Sequence, residues 1–95
     1  MIGTEHVAGQ PPTALLARRT GHELTYAGSA FVTLAEPERE LFWRRAEQLA
    51  VERPAIQHLR NSKARWCEPD MQVSVRHLRG GGMLRHAIVA GLLGL

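Results

Sequence analysis

Residues 76–86 read RHLRGGGMLRH, three glycines with an arginine, a histidine and a leucine on each side. A glycine run of this kind can cradle a phosphate, hinge two segments or turn a hairpin. A phosphate loop needs glycines that open a helix whose first amides point at the anion. This run lacks the Walker spacing and the Gly-Lys-Ser/Thr ending, and the residues after it are apolar and strand-prone. Glycine also permits the positive φ that hairpin turns demand. The residues therefore predict a flexible turn between two strands, with Arg76, Arg79 and Arg85 on or beside its arms.

Other cations lie just upstream at Arg60, Lys63 and Arg65, while segment 60–86 contains only Glu68 and Asp70 as acids. Most of the excess charge of this 95-residue chain, formally +3 with a pI near 10.0, is concentrated there. A small basic domain fits a polyanion partner, and nucleic acid is the usual one. Lys63, Arg65, Arg76, Arg79, Arg85 and His86 are the candidate contacts to a sugar–phosphate backbone. The same arginines could instead edge a sheet and block strand-to-strand aggregation. There is no string of aromatics for base stacking, so duplex backbone is expected rather than a bare single strand.

Self-contained catalysis is not expected. Ser29 and Ser74 sit in no Gly-x-Ser-x-Gly elbow, and His-Glu-x-x-His and Walker patterns are missing. Cys67 is the only cysteine, which rules out an internal disulfide and fits a reducing cytoplasm. It and the five histidines have no zinc spacing. No metal or cofactor is expected in this chain. The start MIGTEHVAG is no signal peptide, and the apolar run AIVAGLLGL falls far short of the ~20 residues that span a bilayer. A membrane partner is not expected.

The elements that would position these residues follow from periodicity. One domain over residues 1–95 is the natural count. GQPP marks a loop; TALLARR is a strand or one helical turn; TGHE is a hairpin turn. ELTYAGSAFVTL is rich in strand formers, and Gly28 inside it predicts a bulge or sharp bend. Residues 36–52 predict a helix, with Pro37 and three glutamates at its start and Phe42, Ala46, Leu49 and Ala50 on one face. Glu40 and Arg44 are spaced to pair. RPAIQHLRNSKAR is a connector without period. Met71, Val73 and Val75 then alternate with polar residues, a half-buried strand, and MLRHAIVAGLL is a second strand-like run. Trp66 reads as a core anchor. The order predicts a mainly β fold: a small OB-fold-like Greek-key barrel of five strands with one helix between the third and fourth. Residues 1–7 can supply only the tail of its first strand, which is expected to be incomplete.

These residues resemble a family. Leu24, Tyr26, Gly28 and Phe31, then Trp66, Pro69 and the Val73/Val75 strand, then Gly82, Leu84, Arg85 and His86, follow in order the motifs of the C-terminal OB-fold domain of bacterial ATP-dependent DNA ligases. The likeness covers nearly the whole chain, and IGTEHVAGQPPTALLARRTG is similar to that domain's opening. It implies a domain that closes over nicked duplex DNA and contacts the backbone, in DNA replication, repair or recombination. It implies a bacterial, cytoplasmic, nucleoid-associated protein. The family's adenylated K-x-D-G lysine lies in a nucleotidyltransferase domain that this sequence does not contain, and ATP and Mg²⁺ belong to that parent enzyme. The family's closing G-L-R-x-D-K motif is matched only by Gly91 and Leu92, and Ala87 stands where the family has proline. The expected role is DNA binding without catalysis by this chain alone. A second expectation is an interaction module whose apolar tail docks on a separate nucleotidyltransferase chain.

Overall fold

The computed structural model describes residues 1–57, 59–77, 84 and 87–93. The fold is built on one long hairpin. Strand β2 (Thr13–Thr20) pairs antiparallel with β3 (Glu23–Phe31) from Thr13↔Phe31 to Thr20↔Glu23. Gly21 turns the chain between them at φ 62°, a conformation glycine adopts without cost. Thr13–Arg19 is thus strand and not a helical turn. The register slips opposite Leu16/Ala17, so Ala27 has no cross-strand partner and Gly28 sits at φ 115°. This is the bulge that Gly28 predicted.

Five further strands extend the ladder. They are β1 (Gly3–Glu5), β4 (Ala50–Val51), β5 (Ala64–Cys67), β6 (Gln72–Arg76) and β7 (Ile88–Leu93), in spatial order β4-β5-β1-β2-β3-β7-β6. All pairs are antiparallel except β3 with β7, which meet in parallel at Phe31↔Ile88. The ladder itself is open. The end strand β6 is nonetheless joined by the chain to β5, next to the opposite end, through residues 68–71. Two bonds brace this junction: the Cys67 amide donates to the Ile2 carbonyl (3.0 Å), and the Met1 amino group to the Met71 carbonyl (2.8 Å). The result is a small, barrel-like, mainly β fold with the helix between β3 and β4. That is the expected class, with two more strands than expected. Pro69 lies in the β5–β6 junction, and β4 is a two-residue edge that no periodicity could reveal.

Helix α1 spans Glu38–Gln48, shorter than the expected 36–52. Pro37 sits at its N-cap, and Leu49 ends it before β4 takes over. Ala50 is therefore an exposed strand residue and not part of a helix face. Phe42 is the helix's contribution to the core and is wholly buried. It packs in one cluster with Ala14, Leu16, Ala30, Val32, Leu49, Cys67 and Val89. At the helix start the Glu38 carboxylate accepts from the Leu92 amide (3.2 Å), which ties α1 to β7. Glu40 and Arg44 pair as expected, at 2.6 Å and in solvent.

The last two strands pair antiparallel, from Gln72↔Leu93 to Arg76↔Ile88, so both arms of the expected hairpin are present, but the second starts later than expected. β7 begins at Ile88, so the strand does not resume directly after the glycines. The reason lies in where the backbone bonds go. The Leu84 amide donates to Ala27 of β3 (2.9 Å), and the Ala87 carbonyl accepts from Phe31 of β3 (3.0 Å). At these two points the chain between β6 and β7 crosses onto β3 instead of running back along β6. The triple glycine itself lies outside the described residues.

Candidate functional site: the cation-bearing faces and their cavities

Of the six expected DNA contacts, Arg79, Arg85 and His86 lie outside the described residues. Lys63, Arg65 and Arg76 are described, and all three are exposed. None is held in an ion pair: the only ion pairs among the described residues are Arg39–Glu36 and Arg44–Glu40.

The three sit at different places on the barrel. Lys63 ends the connector that precedes β5, in a turn where its backbone amide donates to Asn61 Oδ1 (3.0 Å). Arg65 lies on β5 opposite Thr4 of β1. It borders a cavity of about 230 Å³ between β1, β5 and α1. Arg76 ends β6 opposite Ile88 and borders a shallow groove with Thr33, Glu38 and Ala90. The two hollows share no residue. Arg65 and Arg76 therefore border separate hollows and do not converge on one point.

Two further groups, not singled out by sequence, stand at the mouth of the barrel. Arg18 near the end of β2 and His77 just after β6 border a groove of about 350 Å³ with Val73, Val75 and Leu84. The signal for Arg18 was present in the basic end of TALLARR. What was missing was the pairing that carries β2 past the core edge. Leu84 reaches this groove because Gly28 lets it approach: a Cβ on Gly28 would lie 3.2 Å from the Leu84 amide nitrogen. Gly28 and Leu84 thus bring the hairpin and the glycine-rich connection together.

On the outer face of β1, β2 and β3, Trp66 lies over Gly3, where a Cβ would meet its ring at 3.0 Å. Trp66 is half-buried, not the enclosed anchor expected. With Leu15, Tyr26, Leu59, Arg60 and Asn61 it borders a small cavity of about 110 Å³. The connector crosses this face as a strap, fixed where Asn61 Nδ2 donates to the Glu5 carboxylate. Burial, and secondarily the Glu5 charge, push the Tyr26 phenol up from its ordinary pKa. Burial likewise raises the Cys67 thiol, which keeps it protonated and unreactive.

Among the described residues no three His, Cys, Asp or Glu side chains gather to hold a metal ion. No helix among them is long and apolar enough to cross a membrane. No protein-family model matches the chain, and no curated protein and no solved structure matches it.

Proposed function

We propose that this chain is the DNA-binding C-terminal region of an ATP-dependent DNA ligase, incomplete for catalysis alone. It would act in the bacterial cytoplasm at nicked duplex DNA during replication, repair or recombination. The observation that carries the reading is the contact between Gly28 and Leu84. These residues belong to two separate motifs of the resemblance, and they are 56 positions apart in the sequence. Their meeting holds the entrance to the "L-R-H" triplet against β3, beside the groove that Arg18 and His77 border. A backbone laid along this groove would meet Arg18, with Arg76, Lys63 and Arg65 as further exposed cations for it elsewhere on the surface. The nucleotidyltransferase domain, with its ATP and Mg²⁺, would be supplied by a partner domain or chain.

The docking alternative loses its first support, because residues 88–93 form β7, paired between β3 and β6. What remains for a protein partner is the outer edge of β6 and the exposed Leu93. A gel-shift comparison tests the DNA reading: the chain should retard nicked duplex, and Arg76→Glu should weaken that retardation. Retardation of neither nicked nor intact duplex at low salt defeats it.

A further inference from the structure

Strands β2 and β6 each lack a neighbour on one side, and both border the same groove. β1 pairs with β2 only at Thr13, Ala14 and Leu15, so over residues 17–20 that strand has β3 alone. β6 likewise pairs only with β7. On the other side of each, alternate backbone N–H and C=O groups have no ladder partner among the described residues. The groove that both strands border has a volume of about 350 Å³. At one end of it the Met1 nitrogen donates to the Met71 carbonyl (2.8 Å), so the line of β1 leads into the gap between β2 and β6. Its floor is core surface: Leu16 is buried, while Val73, Val75 and Leu84 pack on the core yet stay only half-buried. Leu93 beside them is 50% exposed. Arg18 borders the groove from β2, exposed and in no ion pair with any described acid.

We propose that this groove takes one extended segment of a partner protein, inserted as a strand between β2 and β6 along the continuation of β1. Bare edges on two sides select a peptide, because a backbone offers donors and acceptors that repeat in step with both. The span is short: β6 is 5 residues long, so about five residues of the segment fill it. Period two then sets the chemistry of the segment. Side chains turned inward meet Val73, Val75 and Leu84 and must be apolar, with β-branched ones fitting best. One turned outward passes Arg18 and should be acidic, since the unpaired cation attracts a carboxylate and rejects a lysine. The inference does not rest on the DNA-binding reading: Lys63, Arg65 and Arg76 lie outside the groove, and a peptide seated in it leaves them exposed.

The probe is a capped peptide of about seven residues, alternating valine with glutamate, titrated to millimolar concentration into the isotope-labelled chain and read by NMR. Binding should slow hydrogen exchange at bare-edge amides on both sides, within residues 17–20 and 72–76, and leave the β4 edge unchanged. The same peptide N-methylated at alternate residues keeps its side chains but loses its donors, and should bind about tenfold more weakly. Arg18→Glu, at an exposed position, should weaken the glutamate peptide and strengthen a lysine counterpart, each by about two- to fivefold. Slowed exchange along one edge alone, binding that N-methylation leaves intact, or no response at millimolar peptide overturns the inference. So does protection of both edges without peptide: a second copy fills the groove if the protection grows with chain concentration, and the chain's own residues fill it if not. Binding of nicked duplex without binding of the peptide removes this inference and leaves the DNA reading standing. Binding of the peptide without binding of any duplex supports the inference and removes the DNA reading alone.

Discussion

Gly28→Ala tests the joint on which the barrel mouth depends. The new methyl meets two obstacles. At φ 115° an L-residue is strained, which costs about 1–3 kcal/mol. Its Cβ would also stand 3.2 Å from the Leu84 nitrogen and 3.4 Å from the Leu84 Cβ, closer than a relaxed contact allows. Relief requires Leu84 to withdraw, breaking its 2.9 Å bond to Ala27 and losing about 0.5–1.5 kcal/mol more. Together these give a destabilisation of about 2–4 kcal/mol. For a domain of this size each kcal/mol moves the midpoint by about 4–8 °C, so a fall on the order of 10–30 °C is expected by calorimetry. Gly21→Ala is the control: its φ is 62°, and nothing lies within 4 Å of the added Cβ. It should cost only the strain of a left-handed residue, about 1–2 kcal/mol. The discriminating readout is hydrogen exchange at the Leu84 amide, which Gly28→Ala should accelerate and Gly21→Ala should not. Equal destabilisation by both, with the Leu84 amide still protected in both, would refute the reasoning.

The strap over the outer sheet face should weaken when its tie is cut. Asn61→Ala strands the Glu5 carboxylate in a part-buried site and should cost about 1–2 kcal/mol, read as a lower urea midpoint with an unchanged slope; no change in midpoint would show the tie to be idle. The Tyr26 phenol gives a pH signature. Its pKa is raised in the folded chain, so above about pH 10 the unfolded chain ionises first. The stability tied to this group is whole below that range and is lost as pH climbs through the raised folded value. Tyr26 is the only tyrosine, so phenolate absorbance reports it alone, and Glu5→Gln should lower its midpoint part way, leaving the larger share due to burial. A midpoint that ignores Glu5→Gln would contradict the assigned cause.

Much of the fold was legible in local chemistry. Thr, Tyr, Phe and Val between residues 23 and 32 marked β3, Gly21 marked its turn, and Gly28 marked the bulge, because each rests on a backbone demand that only certain residues meet. The helix was legible from Pro37 and its glutamates, but its end was not. Leu49 and Ala50 keep a helical spacing that tertiary pairing with β5 overrides. β1 lies within residues 1–7, where the tail of a first strand was expected, whereas β4 and β5 were illegible because two and four residues show no period. β7 was misplaced because Met83 to Leu93 is uniformly strand-prone, and only the bonds of Leu84 and Ala87 to β3 decide where pairing begins. Of the candidate contacts, Lys63, Arg65 and Arg76 are exposed, as cations are expected to be, but their separate placement was not legible. The cavity between α1, β1 and β5 was hidden entirely: its residues come from β1, the loop after it, α1, β4 and β5, and no short motif joins them.

The central claim is a DNA-binding surface made of dispersed cations. The direct measurement is fluorescence anisotropy of a labelled nicked duplex, titrated with the chain at several salt concentrations. Counterion release predicts that log affinity falls linearly with log salt. Removing Lys63, Arg65 and Arg76 together should flatten the slope by about 3, at ~0.9 for each phosphate no longer neutralised. No binding at low salt, or binding whose salt slope the triple variant leaves unchanged, would contradict the account.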